Sequence, residues 1–324
     1  MEVSFRKLIK FGKNSYVMSL PKEWIKENKL TNGKVLHVSE KENDLVISLK
    51  EGPEKKDKPK IIEIKGKPFR KIKAEIIAAY LTNYNILEIQ GKELREKAEE
   101  IKGVLHDLVG VEIIEQTSDK IVAKDLLDIK EVSIQKMIRR MDLVIRGMME
   151  DSIGEIDGEH CMNCGICKSI DQRDADVNRM HYLARRVIRS ALNDPRLARF
   201  FNMSNVNLLA SYGIISCLEK IGDQIKRITR CYKSFTISKK SIKELKDLYQ
   251  KLFEEYKKVM SAYYKRDIEV AFQIELEDKE TMINLNDFLQ HNSEASTSQA
   301  IEYLKEMENN IKKIGREITF HEES

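Results

Sequence analysis

Beyond residue 133 the apolar positions recur at steps of three and four. Ile134, Met137, Ile138, Met141, Ile145 and Met148 fall on one stripe, the period of a helix with one buried face. The same rhythm predicts further helices over 169–192, 206–232, 241–264, 267–290 and 298–318, six in all or two sets of three. Before residue 130 the rhythm is shorter. Apolar runs bounded by turn residues predict strands over 8–11, 16–20, 35–39 and 45–49, with a short helix over 22–28 that Pro21 begins. Residues 51–60 hold two prolines and many charges and read as a linker. Strands are then expected over 61–64, 86–89, 111–115 and 121–123, with helices over 70–81 and 94–105. That order, β-α-β-α-β-β, suggests a small α/β sandwich, ferredoxin-like or similar.

The two helical sets are related in sequence. Asp174-Ala-Asp-Val-Asn178 returns as Glu280-Thr-Met-Ile-Asn284, and each acid is followed nine residues later by a leucine, Leu183 and Leu289. Leu218-Glu219-Lys-Ile-Gly-Asp223 returns as Met307-Glu308-Asn-Asn-Ile-Lys312. Two tandem three-helix units account for this.

Composition agrees with the division. Four of the five prolines precede residue 70, and after Gly165 the only glycines are Gly213, Gly222 and Gly315. The chain of 324 residues carries 57 Lys+Arg against 53 Asp+Glu, a net of +4. That is too small for a protein that coats polyanions along its whole surface. No apolar run reaches the roughly 18–20 residues of a membrane span, and the N-terminus lacks the order of a signal peptide. A cytoplasmic protein is expected. No Gly-rich phosphate loop, nucleophile elbow or zinc-protease motif is present, so a binding protein is expected and not an enzyme.

Three groups of residues carry candidate chemistry. Glu219 and Asp223 stand four apart on a predicted helix, as do Asp174 and Asn178, and His181 and Arg185 continue the latter face. Facing helices with such pairs can hold hard or borderline cations. Glu219-Lys-Ile-Gly-Asp223 with Ile225 and Ile228 resembles the E-x-x-x-D helix of PhoU proteins. Asp174-Ala-Asp-Val-Asn178-Arg179 with Leu183 and Arg185 resembles their D-x-x-V-D-R…L-x-x-R helix, and the run from Ser190 to Leu197 also fits. The resemblance covers about 130–320. It implies two three-helix bundles in a negative regulator of phosphate uptake. It also implies a phosphate transporter or its regulatory kinase as partner, and iron or zinc at Asp174, Asn178, Glu219 and Asp223. The chain departs from the family at Asn178, at Asn284 and at Lys312, which stands where an acid is expected. These departures weaken the first metal set and remove the second.

The second group is basic. Residues 1–50 hold ten Lys/Arg and six Asp/Glu, and Arg6, Lys7, Lys10 and Lys13 cluster within the first fourteen residues, where no acid follows Glu2. The stretch from Arg6 through Pro21 to Trp24, followed by Leu30-Thr-Asn-Gly33-Lys-Val-Leu, resembles the SpoVT–AbrB swapped-hairpin domain over residues 3–50. The resemblance implies a homodimer whose hairpins interlock into one barrel, and DNA as the ligand of those four cations.

The third group is His160-Cys161-Met-Asn-Cys164-Gly-Ile-Cys167. Three thiols at steps of three open a ferredoxin-type run without its fourth cysteine. His160, Cys217, Cys231 or a second chain could complete a site for zinc, iron or an iron–sulfur cluster. Gly154, Gly158 and Gly165 predict a loop around it. No organic cofactor is expected. The expected organisation is a β hairpin domain over 1–52, an α/β segment over 60–125, and helical units over 130–235 (with the cysteine loop at 158–168) and 238–320.

Overall fold

The computed structural model describes residues 5–41, 44–49, 59–156, 165–276 and 280–320. The chain divides into two compact units, 1–53 and 54–324.

In the first unit Ile9–Phe11 (β1) pairs antiparallel with Ser15–Val17 (β2) across a turn in which Gly12 has a φ of +70°. Lys22–Glu27 forms a short helix (α1) started by Pro21. His37–Lys41 (β3) and Asp44–Ser48 (β4) form a second antiparallel hairpin. None of the described side chains here is buried, and Phe5, Leu8, Ile9, Phe11, Val38 and Leu45 are exposed. A unit of about 50 residues without a core does not hold itself together by apolar burial.

The second unit begins with a four-stranded sheet, order β5-β6-β8-β7, made by Pro59–Glu63 (β5), Ile86–Gln90 (β6), Val111–Gln116 (β7) and Lys120–Asp125 (β8). β5 and β6 are immediate parallel neighbours, and β8 runs antiparallel to β6 and β7. The ferredoxin-like expectation is therefore corrected: a split β-α-β places another strand between its two parallel ones. Helices Phe69–Leu81 (α2) and Leu94–His106 (α3) pack on each other and bury Ile72, Ile76, Ile101 and Leu105 with Ile62, Leu87, Ile89 and Ala123 of the sheet.

The rest is helical: Ile134–Glu155 (α4), Gly165–Asn193 (α5), Pro195–Phe200 (α6), Asn205–Cys231 (α7), Lys239–Lys265 (α8), Ile268–Leu276 (α9), Glu280–His291 (α10) and Ala295–Thr319 (α11). Ser133, Asp194, Ser204 and Ser238 cap four of these by accepting from backbone N–H groups of the first turn, which the helix itself leaves unpaired. α7 and α11 form the centre, with α4 and α5 against α7, and α8, α9 and α10 against α11. One apolar core runs through both sets. The sets are also tied by Asp142 of α4, which accepts from Tyr256 (2.9 Å) and Tyr264 (2.8 Å) of α8.

The helix expected over 267–290 is described as α9 and α10, whose buried positions Ala271, Ile274, Thr281, Leu285 and Phe288 keep one helical phase, while residues 277–279 lie outside the described residues. One expectation is corrected in this half. Gly154 and Gly165 are helical, the first inside α4 and the second opening α5, so neither belongs to a loop.

The α/β module is joined to the helices through α5. Arg186, 2% exposed, pairs with Asp125 at the end of β8 at 2.5 Å. Its Nε donates to Asn83 Oδ1 at 3.0 Å, and its guanidinium lies 4.5 Å from the centre of the Tyr80 ring. Asn83 in turn donates to Ser190 of α5 at 2.6 Å. Burial alone would lower the Arg186 pKa, but the hydrogen bond and charge of Asp125 outweigh it and the pKa is raised.

Candidate functional site

α5 and α7 run antiparallel, as the pairs Asp171–Arg230 (2.8 Å) and Asp174–Lys226 (2.6 Å) require. The four acidic-motif residues thus meet across one helix pair: Asp174 and Asn178 from α5, Glu219 and Asp223 from α7. Asp174 is 5% exposed, and Asn178 donates its amide to Asp174 Oδ2 at 3.2 Å. Burial raises the Asp174 carboxyl pKa even beside Lys226. Glu219 is raised by burial first and then by the charges of Asp223 and Asp174.

Lys226 and Arg227 complete this set. The Lys226 ammonium lies 2.6 Å from Asp174 Oδ2 and 2.9 Å from Asp223 Oδ1, and Arg227 lies 2.6 Å from Asp223 Oδ2. Burial pulls the Lys226 pKa down, but its hydrogen bonds to Asp174 and Asp223 outweigh this and hold it raised. The sequence reading missed both cations. They stand three and four residues after Asp223, the helical spacing of an ion pair, so the signal was present.

The outer side of α5 meets the α/β module at a cavity of about 180 Å³ lined by Lys73, Asp107, Asp174, Asn178, Arg179 and Tyr182. His181, 7% exposed, has no hydrogen-bond partner on either ring nitrogen, and its pKa is lowered to about 4 by burial and then by Arg185.

In the second helical set Glu308 of α11 is 1% exposed and lies 3.1 Å from Lys312, one turn along the same helix. Thr281 of α10 donates to Glu255 of α8 at 2.8 Å. Burial raises the Glu255 pKa, and the charge of Glu308 adds to the rise. Among the described residues no group of three or more His, Cys, Asp or Glu side chains is placed to hold a metal ion.

The four N-terminal cations are all exposed. In the first hairpin Lys10 stands opposite Tyr16, while Ile9 stands opposite Val17. Directly opposed residues share a face, and neighbours along a strand alternate. Lys10 and Tyr16 therefore mark one face, and Ile9, Phe11, Ser15 and Val17 the other. Arg6 and Lys7 precede β1, and Lys13 sits in the turn.

Of the cysteine set, His160, Cys161 and Cys164 lie outside the described residues. Cys167 is in the first turn of α5. The Asp171–Arg230 pair places that turn at the same end of the bundle as Cys231, the last residue of α7. Cys217 is buried at mid-helix, its thiol pushed up to about 11 by burial.

No family model matches the chain, and no curated protein matches it in sequence.

Proposed function

We propose that this protein is a phosphate-responsive regulator, a negative regulator of phosphate uptake that binds DNA through a pair of its N-terminal units. The observation that carries the DNA half is the division of the first hairpin. One face carries Ile9, Phe11 and Val17, all exposed, together with Ser15; the other bears Lys10 and Tyr16. Two copies that bury their apolar faces together would present Arg6, Lys7, Lys10 and Lys13 twice, on one dimer. Eight cations that each neutralise a phosphate, and so release its counterion, give a salt slope of up to roughly −7, from about 0.9 per contact. The phosphate half rests on the motif residues of α5 and α7, with a transporter or its regulatory kinase as the partner of the helices.

The test is duplex binding as a function of salt, with wild type beside a variant in which Arg6, Lys7, Lys10 and Lys13 are alanine. Loss of affinity together with a flatter salt slope supports the reading. Unchanged affinity would reduce the N-terminal unit to a dimerisation module, and the protein to an adaptor that acts on the transporter without DNA.

A second reading, a metal or iron–sulfur sensor, is favoured by one observation: Cys167 and Cys231 lie at the same end of the helical bundle. Metal content and visible absorption of anaerobically purified protein decide it, and colourless, metal-free protein would end it.

A further inference from the structure

The resemblance of the helical half implies a metal cluster at its acidic motifs. The residues present do not fit one. In the first set the place between Asp174 and Asp223 is taken by the Lys226 ammonium, at 2.6 and 2.9 Å from one oxygen of each. The other oxygen of Asp223 is taken by Arg227 at 2.6 Å. Asn178 turns its amide nitrogen toward Asp174 at 3.2 Å, so its donor group and not its carbonyl faces the carboxylate. A cation entering here would meet two fixed positive charges and would have to displace one of them.

The second set reaches the same state by another route. Its buried Glu308 is paired with Lys312 at 3.1 Å. In the repeat Lys312 stands where Asp223 stands, whereas Lys226 lies three residues beyond that position. Two different positions thus deliver the same group, an ammonium, to the same kind of buried acid. Buried carboxylates must be paired or neutralised, and in both sets a lysine of the chain pairs with one oxygen, Asp174 Oδ2 and Glu308 Oε1, while Asp174 Oδ1 and Glu308 Oε2 accept no hydrogen bond.

We infer that each acidic set is closed by an ammonium of the chain itself, Lys226 in the first and Lys312 in the second, and that neither set takes up a divalent cation while its lysine is in place. Lys226 bridges α5 to α7 as a bound cation would, but as a fixed charge that does not exchange. The inference stands independently of DNA binding.

The test uses the full chain and Mn²⁺ alone, a hard cation that oxygen ligands suit and thiols do not. Bound Mn²⁺ is read by electron paramagnetic resonance. Wild type is expected to show no Mn²⁺ binding that depends on Asp174. Lys226→Met, which keeps most of the aliphatic stem and removes the charge, is expected to bind Mn²⁺ roughly tenfold or more tighter. Asp174→Asn added to it should abolish the gain. Mn²⁺ binding by wild type that Asp174→Asn removes would overturn the inference. So would a Lys226→Met protein that binds no better than wild type. Should Lys226→Met not fold, Lys226→Gln keeps a hydrogen-bond donor without the charge and carries the same two outcomes.

Discussion

Replacing Arg186 by Met tests how the α/β module is held to the helices. The change leaves Asp125, 3% exposed, without its ion-pair partner, and removes the donor to Asn83 Oδ1 at 3.0 Å. The Asp125 carboxylate keeps a bond from the Leu127 N–H at 3.1 Å, which compensates only part of the loss. Breaking a buried pair from one side costs about 3–5 kcal/mol. With about 2.1 cal/mol/K of unfolding entropy per residue, roughly 1.5–2 °C of melting temperature accompanies each kcal/mol at this chain length, so Tm should fall by about 5–10 °C. Urea unfolding followed by circular dichroism gives the free energy. Asp125→Ala should cost a similar amount, and the double variant should be less destabilised than the sum by about 2 kcal/mol, because neighbours in one network do not add. A loss below about 1 kcal/mol for Arg186→Met, or strict additivity in the double variant, would refute the buried latch.

Three other perturbations follow from single residues. His181 is neutral when folded, with its pKa lowered to about 4, so the unfolded chain binds the extra proton between about pH 6.5 and 4; the stability present above pH 6.5 should fall through that window by of order 3 kcal/mol. The raised Asp174 and Glu219 act with the opposite sign, so the comparison is with His181→Phe, which should lose less stability on acidification than wild type; equal acid slopes would refute it. Gly110 has a φ of +83°, and a Cβ there would stand 2.6 Å from Leu127 Cβ; Gly110→Ala should therefore destabilise by about 1–3 kcal/mol in the same urea assay, and a neutral result would contradict the close approach. Phe11→Asp should break self-association in sedimentation while the helical signal in circular dichroism persists, because its apolar face is exposed within one chain; unchanged association would place the dimer contact elsewhere.

Much of the fold was legible because local signals and packing agree. The strands expected near Ile86 and Val111 and the helices ending at Leu81 and near Leu105 stand within a residue or so of their expected bounds. Short β-branched runs between turns leave little freedom there. Helix α6 was missed although Asp194-Pro195 is a helix-start signal, an N-cap followed by proline at the first position. Sheet order was not legible, since β5 and β6 pair directly through contacts that no local pattern encodes. At the acidic motifs the sequence placed Asp174, Asn178, Glu219 and Asp223 on facing helices correctly. It did not reveal that Lys226 turns inward to join them. Its i,i+3 spacing to Asp223 fits an exposed ion pair equally well, and only the antiparallel packing of α5 brings Asp174 to the same ammonium.

The measurement that tests the central proposal most directly is retention of sheared genomic DNA by the full chain at about 150 mM salt, where phosphate attraction is screened beyond about 8 Å, followed by sequencing of the retained fragments. The account predicts fragments enriched upstream of phosphate-transport genes, and their loss when Arg6, Lys7, Lys10 and Lys13 are alanine. No retention, or uniform retention that disappears with added salt, would contradict it.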